Sequence, residues 1–564
     1  MPNPSNFFVE FLRLSRKFWC SEQKRKIRGT VFLLAFLTVM QNVLAVVVTH
    51  WNADLFDALE QHSMSGVKMQ VILLIIIFIT DMALTGSHLV IKRSLEICWR
   101  DWLTDYVFSR WMRDGRHYLI SHLPGEHDNP DGRIAEDCRI ATESAVSLGH
   151  SLFYCILLLI SFSHMLWTLS GVVTLDLGVV QIPIYGHLVW IAILYTALAS
   201  WLGLRVSRSL TSATNSKQTA EANFRAGLID ARENSQAIAL IQAEKFERHH
   251  FRELFDMIRQ SWNAQTKGWR NILMFNTGYS VLNMGVPILI SAPRYVLGQI
   301  SLGGLTQVAQ AFQRMVSALS LPVNAAGSIA EWRASVERIL GLLRALDNVE
   351  TEIAKPENHW IQLKESDRPV LTFRDLSIAK FEGPTLAQGI NMEIAKGEHV
   401  LITGNAFTGA KLFRAIAGIR PWGSGVIELP CNDRLFFMPP RPHLPTGTLR
   451  KAICYPAPCD HFAQAEIEEA MHRVGKLDHL IREFDLTDTW SSALARGEQQ
   501  RLGMVRLLLN QPHWIFLQEA FDSLGPQEEE RMLRLICERL PDATLIAITH
   551  FSNGAAFFSR RLHL

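Results

Sequence analysis

The first part of the chain consists of long apolar runs separated by polar connections. Five of these runs approach the roughly 20 apolar residues that a helix needs to cross a bilayer. They lie at 29–49, 68–91, 145–169, 183–204 and 272–292. A sixth run, 301–326, is weaker and rich in Gly, Ala and Ser, which favours a helix packed against other helices. The pattern predicts six transmembrane helices.

Lys and Arg residues separate sharply between the polar connections. They are frequent in 1–28, 92–140 and 205–270, and absent from 50–67 and 170–186. Under the positive-inside rule, this asymmetry places the N-terminus, both long connections and the C-terminal domain in the cytoplasm. Six spans satisfy that orientation, whereas five would leave the C-terminal domain outside. Apolar residues recur at helical spacing in the long connections, so we expect helices that project from the membrane.

From residue 366 onward, short β-like runs alternate with helix-like runs. The strand candidates are VLTFRDLSI, HVLITG, LFFMP, WIFLQE and TLIAITH, and a helix is expected at 410–418. This alternation is typical of an α/β sheet with a ligand site at the strand ends. The predicted fold class is an α-helical membrane domain followed by a cytoplasmic α/β domain.

The predicted organisation has four parts. Residues 1–28 form a cytoplasmic N-terminal segment, 29–340 the six-helix transmembrane domain with its long cytoplasmic helices, 341–365 a linker and 366–564 the α/β domain.

Composition and charge narrow the classes of function. Hydrophobic residues make up 48% of the chain and the mean hydropathy is +0.10, both high for a soluble protein. The net charge of +2 is uninformative about a nucleic-acid partner, but no basic block resembles a DNA-binding segment, so we expect no nucleic-acid partner. The eight cysteines show no CxxC spacing, so we predict neither a metal site nor a disulfide framework.

Ionisable residues within the apolar runs are candidates for a solute or proton path. Asp81, His88 and His164 stand in predicted spans, where an ionisable side chain is costly and usually faces a cavity or a partner. The alternative is that they lie near a bilayer edge or bond to a neighbouring helix.

The stretch GNAFTGAKLF lies between the β-like run HVLIT and an apolar helix. Gly404 and Gly409 have the spacing of a phosphate-binding loop, but Ala410 occupies the lysine position and Lys411 that of the magnesium-binding hydroxyl. Since one residue turns a helix by ~100°, we expect Lys411 to point away from the β- and γ-phosphates. A shifted alignment returns Lys411 to the lysine role, but leucine then follows it and no hydroxyl is available.

Four blocks of the membrane half carry a family resemblance. They are WNADLFDALEQ at 51–61, RDWLTDYVFSRWM at 100–112, DNPDGRIAEDCR at 128–139 and ANFRAGLIDARENSQAIAL at 222–240. With these blocks, the chain resembles an ABC half-transporter of the SbmA/BacA-like family in which the permease is fused to an ATP-binding domain. One departure is Gln236, where relatives usually carry Glu. The resemblance implies an ABC exporter-like membrane domain and a P-loop NTPase-like ABC domain at 366–564.

The resemblance also implies an assembly and a function. We expect a homodimer in the lipid bilayer of the bacterial inner membrane, with the N-terminus and the C-terminal domain cytoplasmic. The expected solutes are peptides or bulky amphiphilic molecules that the protein takes up, and the implied cofactor is ATP. Family members that lack the ATP-binding domain are driven by the proton gradient.

Motif positions in the C-terminal domain follow from the same resemblance. Pro440 stands at the glutamine of the Q-loop, Gln518 at the aspartate of the magnesium shell and Ala495 at the signature serine. Glu519 and His550 are retained at the positions of the catalytic base and the switch histidine.

The remaining motif residues are candidate cofactor contacts. Gly525 stands where the loop after the catalytic base usually ends in Asp. The candidate cofactor-binding residues are Gly404, Gly409, Lys411, Gly497, Glu498 and Gln499.

The substitutions predict weak ATP binding, a poor magnesium site and ATP hydrolysis that is impaired or lost. Glu519 and His550 alone do not suffice for hydrolysis, since removing a single preorganised charge-stabilising group costs about 10² to 10³ in rate. One alternative is an ATP-driven transporter, paired with a half-transporter that carries the usual motif residues. Another is a membrane sensor or scaffold that transports nothing. Of the two transport mechanisms, the sequence favours the proton-driven one.

Overall fold

The computed structural model describes residues 4–121, 129–176, 181–354, 360–379, 384–419, 422–431, 433–549 and 555–564. The chain divides into two compact units. The first joins Met1–Ser109 to Glu126–Leu343, and the second joins Arg110–Gly125 to Arg344–Leu564.

The N-terminal part of the chain is built of long helices. In chain order the elements are α1 (Pro4–Trp19), α2 (Lys24–Glu60), α3 (Met64–Met112), α4 (Arg116–Ile120), α5 (Pro130–Gly132), α6 (Cys138–Ser170), β1 (Val172–Asp176), β2 (Gln181–Tyr185), α7 (His187–Glu233), α8 (Ser235–Leu240), α9 (Glu244–Val296), α10 (Leu302–Leu319), α11 (Leu321–Asn324) and α12 (Ala326–Ala354).

Five of the described helical segments are long and apolar enough to cross a membrane, which confirms the five strong predicted spans. They are Lys24–Glu60, Met64–Ile120, Pro130–Ser170, His187–Glu233 and Glu244–Val296. Several of them continue well beyond the predicted span, because the polar connections are helical too, as expected from their periodicity. The structure therefore extends the membrane helices into the regions rich in Lys and Arg.

The weak sixth run forms α10, which is a helix at the centre of the first unit. Val308, Ala311 and Phe312 on this helix are fully buried, and Met315 is 2% exposed. Their neighbours come from α2, α6, α7 and α9. The expectation of a helix packed against other helices is confirmed, and its small residues allow the close approach.

The connection at 170–186 contains a β-hairpin that the apolar pattern did not predict. β1 and β2 pair antiparallel, with Val172 opposite Tyr185 and Asp176 opposite Gln181. The predicted start of the fourth span at 183 is wrong. The helix begins at His187, because Gly186 takes a left-handed conformation (φ +66°) that separates it from the strand.

Gly303 allows α10 to begin in contact with α2. Its N–H donates to Asp57 Oδ1 at 2.8 Å. A Cβ at this position would collide with the main-chain oxygen of Ala53 and with the Asp57 carboxylate, at separations well under 3.0 Å. The neighbouring Gly304 is different, since the atom nearest to its Cβ position is Ser301 Oγ at 3.4 Å.

The C-terminal part is an α/β structure. Its elements are β3 (Gln362–Ser366), β4 (Val370–Ala379), β5 (Thr385–Ala395), β6 (His399–Thr403), α13 (Ala406–Ile416), β7 (Gly423–Pro430), β8 (Leu435–Met438), β9 (Gly447–Thr448), α14 (Leu449–Cys454), α15 (Gln464–Val474), β10 (Thr487–Asp488), α16 (Trp490–Ala493), α17 (Arg496–Asn510), β11 (Trp514–Gln518), α18 (Pro526–Arg539), β12 (Thr544–Ile548) and β13 (Arg560–His563).

Two main sheets organise this unit. One is a parallel sheet with the strand order β13-β6-β12-β11-β8, and the other is a mixed sheet with the order β3-β7-β4-β5. All five residues of β11 and of β12 are buried, as expected for central strands of a parallel sheet covered on both faces. The five strand candidates predicted from the sequence coincide with β4, β6, β8, β11 and β12.

Two details of the second unit differ from the sequence-based picture. Helix α13 begins at Ala406 and ends at Ile416, earlier than the predicted 410–418, because the Asn405 side chain caps it by accepting the Phe407 N–H at 2.9 Å. In addition, 110–125 belongs to the second unit, where Arg116 Nη1 lies 3.2 Å from Glu350 Oε2. The predicted domain limits at 28, 340 and 365 stay a prediction.

The contrast between the two adjacent glycines gives a test of the α2–α10 contact. We expect Gly303→Ala to destabilise the protein by about 1–3 kcal/mol, because the added methyl group forces the two helices apart. Gly304→Ala is the matched control and should leave stability within about 0.5 kcal/mol. Thermal unfolding of the detergent-solubilised full chain, followed by tryptophan fluorescence, measures both. Equal melting temperatures for the two variants would contradict the described packing.

Candidate functional site

The candidate site lies where β6 leads into α13. Gly404 follows the strand with φ +132°, and Asn405 then starts the helix by accepting the N–H of Phe407 with its side chain and those of Thr408 and Gly409 with its main-chain oxygen. These bonds form a tight turn of the kind that wraps phosphate groups.

Both glycines of the loop are required by close contacts. A Cβ on Gly404 would collide with the main-chain oxygen of Leu564, which lies beside the loop because its N–H donates to Thr403 O at 2.8 Å. A Cβ on Gly409 would stand 2.7 Å from Ile548 Cγ2. The end of β12 and the residue after β13 therefore crowd the loop.

The space enclosed by the loop is small. The cavity has a volume of about 10 Å³, and its lining includes Gly404, Gly409, Ala410, Gln518 and Glu519. A cavity of this size holds about one water molecule. The structure thus brings the two loop glycines together with the residues that end β11.

Lys411 does not line this cavity. Its side chain is buried, and Nζ lies 3.4 Å from the centre of the Phe407 ring, one helical turn earlier. An ammonium group over an aromatic face is stabilised by about 0.5–2 kcal/mol. The helix therefore directs Ala410, and not the lysine, toward the loop.

Gln518 and Glu519 stand side by side at the end of β11. Gln518 is buried, and Glu519 has a left-handed backbone (φ +43°) with its N–H donated to Ile548 O at 3.0 Å. A non-glycine residue in this conformation is uncommon and is enriched at functional sites. The strand thus delivers one amide and one carboxylate to the loop.

The helix α17 carries the signature residues. Ala495 precedes it, and the Ala495 N–H donates to Glu498 Oε2 at 2.9 Å. Gln499 Nε2 donates to the main-chain oxygens of Ser491 and Leu494, each at 2.9 Å. Glu498 and Gln499 are therefore engaged in contacts that shape the start of the helix.

Gln500 connects three segments of the site and was not among the candidate cofactor contacts predicted from the sequence. It is fully buried, and its amide nitrogen donates to Pro440 O at 3.0 Å and to the Asp522 carboxylate. Its side-chain oxygen accepts the Ser523 N–H at 3.1 Å. Arg496 also pairs with Asp522, at 2.8 Å. Only the signature-like spacing around Gln500 could have suggested this role.

Gly497 lies close to the segment that carries Asp522, Ser523 and Leu524. A Cβ at Gly497 would stand 3.2 Å from Leu524 Cδ2, so a larger residue would press on the segment that carries Asp522. His550, the predicted switch histidine, lies outside the described residues. Among the described residues, no group of three or more His, Cys, Asp or Glu side chains is placed to hold a metal ion.

The three path candidates of the first unit occupy different environments. Asp81 and His164 are exposed on their helices, whereas His88 is only 9% exposed and lies against His150. The structure therefore does not bring the three together. His150 was not among the predicted residues, because it falls at the edge of an apolar run.

A second cavity adjoins Glu519 on the other side of β11. It has a volume of about 250 Å³ and is lined mainly by apolar side chains, together with Glu529 near the start of α18. Burial raises the pKa of the Glu529 carboxyl above its ordinary value.

Comparison with known proteins places these features in a family. The family model described as ABC transporter transmembrane region 2 matches residues 16–296 of this chain. An uncharacterised ABC transporter ATP-binding protein of Synechocystis is 30% identical over 494 residues, which cover 84% of this chain and 71% of that protein. The inner membrane ABC transporter ATP-binding protein YddA of Escherichia coli is 28% identical over 550 residues, covering 96% of this chain and 95% of YddA.

A solved structure shares the fold. It is that of a bacterial Atm1-family ABC exporter with ATP bound, and it superposes with a TM-score of 0.70 at 18% sequence identity. The match covers 96% of this chain and 94% of that one. The predicted fold class, a helical membrane domain with a C-terminal α/β nucleotide-binding domain, is confirmed.

The half-buried carboxyl of Glu529 gives a pH-dependent prediction. The unfolded chain releases this proton near the ordinary pKa of 4.5, and the folded chain releases it at higher pH. The protonated form therefore stabilises the fold, and that stability is lost as the pH rises through the raised pKa. Glu529→Gln, which stays neutral, should raise the melting temperature at about pH 8 and change it little at about pH 4.5.

The matched control for Glu529 is Glu538→Gln, an exposed position on the same helix. It should show the same small effect at both pH values. A Glu529→Gln protein with no gain at the higher pH would show that the carboxyl is well solvated.

Proposed function

This chain belongs to the ABC transporter family. We propose that it is an uptake transporter of the bacterial inner membrane with impaired or lost ATP hydrolysis. The proposed solutes are peptides or bulky amphiphilic molecules. The blocks that resemble the SbmA/BacA-like permeases support this solute class. The inner-membrane location is supported by the similarity to YddA over nearly the whole chain.

The proposed assembly is a homodimer with the N-terminus and both C-terminal domains in the cytoplasm. The distribution of Lys and Arg supports this orientation. In this proposal the sixth span is α10, which packs against four of the five apolar helical segments. The proposed division of the chain into a membrane domain and a nucleotide-binding-like domain from residue 366 agrees with this assembly.

The phosphate-binding loop carries the proposal of impaired hydrolysis. A working loop combines backbone N–H groups with a lysine that contacts the phosphates and a hydroxyl that binds magnesium. Here the position that faces the cavity is Ala410, while the Lys411 ammonium is held over Phe407. The cavity enclosed by the loop is about 10 Å³, and the Leu564 main chain lies close to Gly404.

The remaining motif positions also support impaired ATP hydrolysis. Gln518 offers a neutral amide where a carboxylate would support magnesium, and the Pro440 side chain has no polar atom to join a metal and water network. The residues present therefore do not fit a magnesium-bound triphosphate. Since each missing group costs about 2.7–4 kcal/mol of barrier, two losses suffice to make hydrolysis negligible.

Two other functions remain as alternatives to this proposal. An ATP-driven transporter requires Glu519 and His550 to work with groups supplied by a partner that carries the usual motifs. A sensor or scaffold requires no transport at all. The contact between the buried His88 and the half-buried His150 in the first unit favours the proton gradient as the energy source, since a titratable group inside a span usually serves a proton or solute path.

The loss of hydrolysis is tested with purified full-length protein. We expect the rate of magnesium-dependent ATP hydrolysis to equal that of the Glu519→Gln variant, because the catalytic base has no correctly bound phosphate to act on. The variant supplies the background from contaminating ATPases. A wild-type rate about tenfold or more above this background, and sensitive to vanadate, would show a functional site.

Uptake is tested in proteoliposomes with the C-terminal domains inside and a fluorescently labelled amphiphilic peptide outside. We expect accumulation when the outside is more acidic, a fall to the level of protein-free vesicles when a protonophore collapses the gradient, and no response to internal ATP. Accumulation that needs internal ATP would support the ATP-driven alternative. Absence of accumulation under both conditions would support the sensor.

A further inference from the structure

His88, which is buried, and His150, which is half-buried, lie against each other between α3 and α6. Their ring centroids are 4.4 Å apart with the ring planes at 50°, and His88 is 9% exposed. Both Nε2 atoms are buried and have no hydrogen-bond partner in the part of the chain that the structure describes. Buried polar atoms in proteins are almost always hydrogen-bonded, so two such atoms in neighbouring side chains require an explanation.

In the proposed orientation, the pair lies at the cytoplasmic end of the spans. His88 is close to the end of the second predicted span at 68–91, and His150 is close to the start of the third at 145–169. The next residues of α3 toward the cytoplasm are Lys92 and Arg93, which mark the membrane surface. A proton that enters from the other side of the membrane would meet this pair last.

We propose that His88 and His150 together bind one proton and release it to the cytoplasm during uptake. The inference rests on the proposed proton-driven function, which it deepens by naming the site. One imidazole takes the proton on a ring nitrogen and donates the resulting N–H to the lone pair of the other. A second proton is disfavoured because two like charges at this separation repel each other.

The surrounding charges suit a site that both binds and releases a proton. On α3, Lys92 donates to Ser147 Oγ at 3.2 Å and lies 3.8 Å from the buried Glu96 carboxylate. Arg93 also pairs with Glu96, at 3.3 Å. Lys92 follows His88 by about one helical turn, and its ammonium opposes a second positive charge on the histidines, which keeps the bound proton labile.

The face of α6 adds two further titratable groups. Glu143 lies two turns before His150 and pairs with Arg139 at 3.1 Å. Tyr154 stacks on His150, with centroids 6.2 Å apart and the rings nearly parallel. The tyrosine holds the His150 ring in place, and Glu96 and Glu143 lie on the cytoplasmic side, where they can receive the released proton.

The proton site is tested directly by nitrogen-15 NMR of histidine-labelled full-length protein in nanodiscs. Between about pH 5 and about pH 9, we expect the His88 and His150 signals to shift together and the pair to take up one proton. In His88→Asn and His150→Asn, the remaining histidine should titrate with a proton affinity changed about tenfold or more. Two independent titrations, each unaffected by loss of the other histidine, would overturn the proposal.

The role in uptake is tested in the same peptide-loaded proteoliposomes. Either single variant should reduce gradient-driven accumulation about tenfold or more, whereas His62→Asn, an exposed histidine in a turn, should retain it. Full accumulation by both pair variants would refute the site even when the wild type is proton-driven. If the wild type shows no proton-driven uptake, the proposed function fails, and a shared one-proton titration would still establish the site.

Discussion

The parallel pairing of β6, β12 and β11 decides where each residue of the candidate nucleotide site lies. Ile402 pairs with Ile548, and Ile548 pairs with Gln518, so the three strands end at the same edge of the sheet. The loop glycine, Thr549 and Glu519 each follow one of these strands. The main chain alone therefore assembles the outline of a phosphate site, whatever side chains complete it.

This division between main-chain geometry and side-chain chemistry explains how the fold can persist while reactive positions change. The buried strands and Gln500 contribute to stability through packing and hydrogen bonds, and replacing them would cost the fold. Side chains that contact only nucleotide or metal carry no such penalty. Ala410 faces the small loop cavity, and Lys411 now contributes by packing beneath Phe407. A sequence that no longer needs to hydrolyse ATP would keep the residues that stabilise the fold and lose the side chains that contact only nucleotide or metal.

Much of the fold could be predicted because it follows from periodicity. A helix that crosses a bilayer and a strand buried in a core both need continuous apolar residues. Runs such as 68–91 and TLIAITH therefore reveal these elements in the sequence. The hairpin formed by β1 and β2 was missed because it lies in a short connection between two spans, where membrane burial gives no signal. The start of α13 was placed too late, because an Asn cap is a local contact that overrides the apolar pattern.

The site was predictable only where residues follow one another along the chain. Gly404 and Gly409 belong to one loop and were found by their spacing, whereas Asp522 and Gln500 meet through the fold. His150 could not be paired with His88 for the same reason, since α3 and α6 are far apart in sequence.

ATP hydrolysis requires more correctly placed side chains than proton binding does. Hydrolysis needs a lysine, a hydroxyl, two acidic groups and a signature serine in place together, and the loss of any one lowers the rate steeply. Proton binding needs only a buried titratable pair with access to both sides of the membrane in turn. Under the proposed function, a transporter that holds His88 against His150 could therefore lose the first set without losing transport. In a homodimer each protomer would supply its own pair, so the requirement is met twice while the nucleotide sites are altered alike.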